Sequence, residues 1–130
     1  MIVVNFAHPI TKDQLQAIEH LTVQPVERVV AVHAQVDLGQ PIGPQVKELV
    51  DRCGLSGEEW QTAPIVVNLP SLAVLAAAVV AELHGRMGYF PTVLSLRPSP
   101  GASPPRFELA ELVNLQAIRD AARSRRMENM

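Results

Sequence analysis

The chain has 130 residues, 11 basic and 13 acidic side chains, a formal net charge of −2 and 48% hydrophobic residues. This length suits one domain with its own hydrophobic core, so we treat residues 1–130 as a single domain. The one cysteine, Cys53, excludes an internal disulfide and a multi-cysteine metal site. The near-zero net charge excludes the generally basic surface that binds long nucleic acids.

No segment of the sequence predicts export or membrane insertion. Residues 1–5 carry no basic side chain before the chain turns polar at Asn5 and His8, so a secretory signal is not expected. The longest apolar run, Leu72–Ala81, has ten residues, whereas about 20 are needed to span a bilayer. We expect a cytoplasmic protein with no membrane partner, which also suits a lone thiol.

Short apolar runs alternate with segments of helical periodicity in the first part of the chain. The β-branched run Ile2–Asn5 predicts a buried strand. Thr11 and Gln14 have the spacing of a capping box at the start of a helix, which Pro25 is expected to stop. Val26–Val32 predicts the second strand, and the residues up to position 41 form a polar loop.

The alternation continues to the end of the chain. The spacing of Val46, Leu49, Val50 and Cys53 predicts a second helix, and the later predicted elements are a strand at Ile65–Asn68, a helix at Leu72–Leu83, a strand at Thr92–Leu96, a Pro-rich loop at 98–106 and a C-terminal helix at 107–126. The helix at Leu72–Leu83 is apolar nearly all round. It must therefore be covered on both sides, by the sheet and by something else such as a partner subunit.

Strands that alternate with helices predict an α/β domain with a mostly parallel sheet of four to five strands, flanked by helices. Such sheets bind ligands beyond the carboxyl ends of their strands, near the point where the strand order reverses. The candidate site residues therefore come from these ends, and they are Asn5, Phe6, His8, Pro9, Thr11, His33, Asn68, Leu69, Ser71 and Arg97.

Several of these side chains suit a nucleotide, although each also has an ordinary structural role. Asn68 could read a base edge or a ribose hydroxyl, or bind loop backbone. Arg97 could bridge a phosphate, or pair with a glutamate. The helix that begins near Thr11 offers amides to a phosphate, or is simply capped by that residue. His8 is the acid–base candidate because histidine exchanges its proton near neutral pH, and the alternative is a surface residue.

Other chemistry is not indicated. The first strand end lacks the glycines of a dinucleotide fingerprint or a phosphate-binding loop. Ser71 does not stand in a Gly-x-Ser-x-Gly elbow. The pair His33 and Asp37 has no further ligand at a metal-binding spacing, so we expect neither a metal nor a cofactor.

Three segments resemble a known family: Val4–Thr11, Val67–Ser71 and Gly88–Pro98. They are similar to a small standalone accessory family of type III CRISPR systems. The resemblance covers residues 1 to about 98 and implies a Rossmann-like domain that dimerises and binds cyclic oligoadenylate across the dimer axis. By position, the Asn5–His8 loop, Asn68–Ser71 and Arg97 would face the ligand.

The resemblance implies a homodimer that binds cyclic tetra-adenylate and dampens antiviral signalling by sequestering it. One alternative is a ring nuclease, in which a ribose 2′-hydroxyl attacks its own phosphate without a metal and His8 moves the proton. A further alternative is a protein-interaction subunit, with the helix at Leu72–Leu83 docked on a larger partner. Only one histidine is well placed at the strand ends and no lysine is near, so binding is expected rather than cleavage.

Overall fold

The computed structural model describes residues 1–128, except for the side chain of Met127, and shows strands and helices that alternate along the chain. In chain order the elements are β1 Ile2–Asn5, α1 Lys12–Thr22, β2 Arg28–Ala31, α2 Ile42–Asp51, α3 Gly57–Thr62, β3 Ile65–Asn68, α4 Ala73–Met87, β4 Thr92–Pro98, β5 Phe107–Asn114 and α5 Leu115–Glu128.

The five strands form one sheet in the order β2-β1-β3-β4-β5. The first four strands of this order are mutually parallel and β5 runs antiparallel to β4. The predicted Rossmann-like α/β fold with a mostly parallel sheet is confirmed. Because the chain moves from β1 to one side for β2 and to the other side for β3, the order reverses between β1 and β3. Asn5 and Asn68 are register partners at that point.

The core has two layers because successive strand residues point to opposite faces of the sheet. Ile2 and Val4 of β1 belong to the larger cluster, which is built with α2, α3 and α4. Met1 and Val3 belong to a smaller cluster with Ile18 of α1. The smaller cluster lies on the face of the sheet that α1 covers. We call this face the α1 face.

Helix α1 begins where the sequence predicts and ends earlier. Thr11 is its N-cap, and the reciprocal capping box with Gln14 is present. The helix ends at Thr22 rather than being stopped by Pro25, and its C-cap is Val23 at φ 54° and ψ 36°. A β-branched residue in this left-handed region is strained, and the side chain of Val23 is 87% exposed. Its conformation is therefore not maintained by burial of the side chain.

Helix α4 is longer than predicted, and its own chain provides its cover. It runs to Met87 through Gly85, and Gly88 ends it at φ 85°. Its buried side chains, Leu75, Val79, Leu83 and Met87, lie in the cluster that also contains residues of α2 and α3. The second covering layer expected for this helix therefore does not require a partner subunit. The exposed apolar side chains of α4 are alanines and Val74, and Leu72 just before the helix is also exposed.

The predicted C-terminal helix at 107–126 is wrong in its first part, because residues 107–114 form β5 and the helix occupies Leu115–Glu128. The register between β4 and β5 shifts between Ser95 and Leu96, which leaves Ala110 as an extra residue in β5. This bulge breaks the two-residue period of the strand. It leaves leucines three residues apart at positions 109, 112 and 115, which is the spacing of a helix.

Three smaller differences concern the other predicted boundaries. Strand β2 is confined to Arg28–Ala31, and Pro98 belongs to β4 rather than to the loop. The short helix α3 was not predicted, although Ser56 and Glu59 form a second capping box at its start. Within residues 1–128, none of the helices combines the length and the apolar character that a membrane span requires.

Candidate ligand-binding cleft at the carboxyl edge of the sheet

The carboxyl ends of β1 and β3 are joined by a pair of buried asparagines. Nδ2 of Asn68 donates to Oδ1 of Asn5 at 3.0 Å, and the two residues are 7% and 3% exposed. Asn5 also accepts from the amide of Ala7 at 3.0 Å and donates Nδ2 to the carbonyl of His8 at 2.9 Å. Asn5 therefore fixes the chain after β1, and Asn68 ties that turn to the next strand.

The turn held by Asn5 leads into the first turn of α1. Its residues Ala7, His8 and Pro9 are exposed. The capping box occupies two amides of the helix start, because Thr11 Oγ1 accepts from Gln14 and Gln14 Oε1 accepts from Thr11. The helix therefore offers fewer free amides to a phosphate than the sequence implied.

The hairpin of β4 and β5 extends past the end of β3 and forms a second wall. Only Thr92 and Val93 of β4 pair with β3, whereas the pairing of β4 with β5 continues to Pro98 and Phe107. Gln14 connects the two walls, since its Nε2 donates to the carbonyl of Phe107 at 2.9 Å. A space remains between the first turns of α1 and the projecting hairpin.

That space is a cleft of about 850 Å³, within the roughly 300–1,000 Å³ usual for small-molecule sites. It is lined by Ala7, His8, Pro9, Thr11, Asp13, Gln14, Ala17, Asn68, Leu96, Ser99, Pro105, Arg106, Phe107, Glu108 and Leu109. Its place at the carboxyl edge, beside the reversal of strand order, is where an open parallel sheet is expected to bind its ligand.

None of the family models, curated proteins or solved structures compared with this chain matches it. The chemistry of the cleft is therefore defined by its own residues.

The charged side chains of the cleft differ in whether they are already paired. Arg106 is exposed and has no ion-pair partner among residues 1–128. Glu108 is paired with Arg97, whose Nε lies 3.0 Å from Oε1. Asp13 adds a negative charge in the first turn of α1. An anion in this cleft would find its free cation at Arg106, with His8 on the opposite wall.

The structure brings together four of the predicted site residues, His8, Pro9, Thr11 and Asn68, all of which line the cleft. Asn5 is the register partner of Asn68 on the neighbouring strand, and it orients Asn68 by accepting its hydrogen bond. Phe6 is buried in the larger core cluster, and Leu69 packs against that cluster. These two residues support the site rather than contact its space.

Besides Asn5, Phe6 and Leu69, three further predicted residues lie outside the lining of the cleft. Ser71 precedes α4 and is exposed, and His33 follows β2, where its carbonyl accepts from Arg52 at 3.5 Å. Arg97 follows Leu96 in an extended strand, so the two side chains point to opposite faces. Leu96 lines the cleft. Arg97 does not, and it pairs with Glu108, which is its register partner on β5 and itself a lining residue.

Sequence reasoning missed the hairpin wall of the cleft, which contributes Arg106 and Phe107. The signal that could have found it is the alternation of Phe107, Glu108 and Leu109 immediately after the Pro-rich loop, since alternation predicts a strand. Gln14 was assigned to the helix cap alone, and its second hydrogen bond is a tertiary contact that no local pattern encodes.

The titratable groups with shifted pKa values lie away from the cleft. Hydrogen bonds from Lys47 and then Arg86 lower the pKa of Asp51. Burial raises the pKa of the Cys53 thiol to about 11. Within residues 1–128 no three His, Cys, Asp or Glu side chains are placed to share a metal ion. The carboxyl edge therefore combines neutral hydrogen-bonding groups, apolar side chains, the carboxylates of Asp13 and Glu108, and the unpaired guanidinium of Arg106.

Proposed function

We propose that this protein binds cyclic oligoadenylate, with cyclic tetra-adenylate as the ring, and that it acts as a homodimer which sequesters the messenger of type III CRISPR signalling. The observation that carries the proposal is the unpaired Arg106, which lines a cleft at the reversal of strand order together with His8 and Asn68. The nature of the messenger comes from the sequence resemblance described above.

The size of the cleft supports a ring shared between two copies. A space of about 850 Å³ suits a nucleotide unit rather than a closed ring of four nucleotides. A two-fold dimer would present every group twice, which matches the symmetry of such a ring. The exposed Leu72 and Val74, at the start of α4 on the same edge of the sheet, provide apolar surface for contact between copies.

Binding is favoured over cleavage by the residues available. His8 is the one histidine that lines the cleft, and the lining contains no lysine. In-line attack by a ribose hydroxyl needs its geometry fixed and its developing charge stabilised. Arg106 and His8 are the two groups that would have to stabilise this charge, and both lie on exposed segments. Two such groups favour binding of the ring over its cleavage.

Calorimetric titration with cyclic tetra-adenylate tests the proposal. We expect one ring per two chains and a dimer by sedimentation in the presence of the ring. Arg106→Gln should weaken binding about tenfold or more, because a charge-assisted hydrogen bond to phosphate is lost. Arg123→Gln, on the exposed surface of α5, is the matched control and should bind as the wild type does.

Two results would overturn parts of the proposal. Absence of both heat and thermal stabilisation with the ring would reject the ligand. Conversion of labelled ring to linear product under excess protein would make the protein a ring nuclease, and His8→Ala should then abolish turnover while it weakens binding only modestly.

A further inference from the structure

We infer that the inner part of the cleft is a subsite for a flat heteroaromatic ring that carries an amino group. The polar contact of this subsite is Asn68 and its apolar wall contains Phe107. The identification of the ring as adenine rests on the proposed function, whereas the shape and hydrogen-bonding chemistry of the subsite come from the residues of the cleft.

Asn68 presents a hydrogen-bond acceptor that the protein does not use. The side chain is more than nine-tenths buried, and its Nδ2 is fixed on Asn5. Its Oδ1 has no hydrogen-bond partner among residues 1–128. In that part of the chain, the only completely buried side-chain nitrogen or oxygen without a partner is Nε1 of Trp60, so Oδ1 of Asn68 is not completely buried. Oδ1 of Asn68 is therefore accessible from the cleft that the residue lines.

Because Oδ1 of Asn68 is accessible and has no partner among residues 1–128, it is available to a ligand that carries a hydrogen-bond donor. Asparagine pairs with adenine by accepting from the 6-amino group and donating to N7, and Oδ1 of Asn68 is free for the first of these contacts. Because the hydrogen bond to Asn5 holds the amide in one orientation, the acceptor is positioned before the ligand arrives. A ring with a carbonyl at the same place would bring two oxygens together.

The wall opposite α1 is apolar and contains an aromatic face. Leu96, Phe107 and Leu109 line the cleft from the hairpin, and Ala17 lines it from the helix. Phe107 is 56% exposed, so its ring is free to contact a ligand. Its backbone is already fixed by Gln14, so stacking a base on it costs little ordering of the chain.

The bulge in β5 is what directs these side chains to the cleft. Leu109 and Leu112 both pack against the smaller core cluster, on the α1 face, although their positions differ by three and alternate residues of a regular strand would face opposite sides. Because Ala110 is an extra residue, Leu109 points to the same face of the sheet as Leu112, and Phe107, two residues earlier in the strand, points there too. Bulges commonly redirect side chains beside binding sites.

The charged side chains of the cleft favour a neutral part of the ligand beside α1 and a phosphate beside Arg106. Asp13 lines the cleft with a carboxylate, whereas the charge of Glu108 is offset by its ion pair with Arg97, so the part of the cleft beside α1 disfavours a second anion. A neutral ring can enter between α1 and the hairpin while its phosphate stays near Arg106. The subsite is therefore expected to take nucleosides and their monophosphates, and to select them by the base.

The test measures binding of cyclic tetra-adenylate, adenosine 5′-monophosphate and inosine 5′-monophosphate. Phe107→Ala should weaken binding of the adenine ligands by about 5- to 100-fold, the range found for loss of one stacked base. Phe107→Trp should retain it. Ile118→Ala removes a side chain that is also 56% exposed but lies on α5, and it should change nothing. The wild type should prefer the adenosine to the inosine compound by about fivefold or more.

The outcomes separate this inference from the proposed function. If the ring binds and Phe107→Ala binds it equally, or if inosine and adenosine compounds bind alike, the subsite is wrong and the proposed function stands. If the ring does not bind but adenosine monophosphate binds in a Phe107-dependent manner, the proposed function is wrong and the subsite stands. If no adenine compound binds, both are rejected.

Discussion

Gln14 donates its side-chain Nε2 to the backbone carbonyl of Phe107 at 2.9 Å while its Oε1 accepts from the amide of Thr11 at 3.0 Å. One buried amide thereby caps α1 and attaches the β4–β5 hairpin to it. The two walls of the cleft meet at this side chain. A glutamate would satisfy the cap equally well, so the use of glutamine is explained by the hairpin.

We predict that Gln14→Glu lowers the free energy of unfolding by about 1–3 kcal/mol at pH 7, since a carboxylate cannot donate to the carbonyl of Phe107. This position would raise the pKa of the introduced carboxyl group. The destabilisation should therefore be small at acid pH and grow as the pH rises through about 4.3. Urea denaturation at several pH values measures it.

The control is a glutamate-to-glutamine substitution in the capping box of α3, at Glu59. Glu59 caps α3 through the amide of Ser56 and also pairs with Arg28 on the exposed surface. Glu59→Gln keeps the cap and loses the exposed ion pair, so a cost below about 1 kcal/mol is expected. Equal costs at positions 14 and 59 would contradict the role given to Gln14.

The buried asparagine pair gives a second prediction. Asn5→Ala removes three hydrogen bonds, to Ala7, His8 and Asn68, and should cost about 2–4 kcal/mol because two of the former partners are backbone groups of a tight turn. Asn114→Ala, which loses one exposed bond to the amide of Ala117, should cost about 1 kcal/mol. Chemical denaturation of both variants compares them.

Val23 gives a prediction of the opposite sign. Its left-handed conformation is unfavourable for a β-branched residue, and its 87% exposed side chain has little packing to lose. Val23→Asn should raise the free energy of unfolding by about 0.5–1 kcal/mol. Val74→Asn, at an exposed position inside α4, should lower it because asparagine is a weaker helix former. A thermal denaturation series that shows both variants destabilised would contradict the strain at Val23.

Cys53 gives a prediction about reactivity and alkaline pH. Burial raises the pKa of its thiol to about 11, so the native protein should resist alkylation at pH 8 and react only when unfolded. The unfolded thiol ionises at lower pH than the folded one. Stability should therefore be unaffected below pH about 8.5 and decline above it. The decline should be weaker in Cys53→Ala, which thermal denaturation between pH 7 and 10 can show.

The parts of the fold that could be predicted are those whose cause is local. The strands at Ile2–Asn5 and Ile65–Asn68 were predicted with their observed bounds because both are buried on both faces and read as unbroken apolar runs. The capping box of α1 is equally local. The meeting of Asn5 with Asn68 is a consequence of parallel register at the same edge of the sheet.

The parts that were missed depend on contacts distant in sequence. The direction in which Phe107 and Leu109 point is decided by how β5 pairs with β4 across a bulge, and a one-residue change of register exchanges the two faces of a strand. The cover of α4 by α2 and α3 depends on packing rather than on the composition of α4 itself. A sequence pattern shows that a helix is apolar, but it does not show what lies against it.

The projection of the hairpin beyond β3 means that part of the cleft is built outside the parallel sheet. Residues 98–107 lie outside the parallel part of the sheet, and they include Arg106 and Phe107, which give the cleft its guanidinium and its aromatic ring. If the cleft binds the proposed ligand, exchange of residues 99–106, the tip of the hairpin, would change which ligands bind, while the hydrogen bond between Gln14 and Phe107 keeps the hairpin attached to α1. The tip is accordingly the natural place to graft a new recognition sequence.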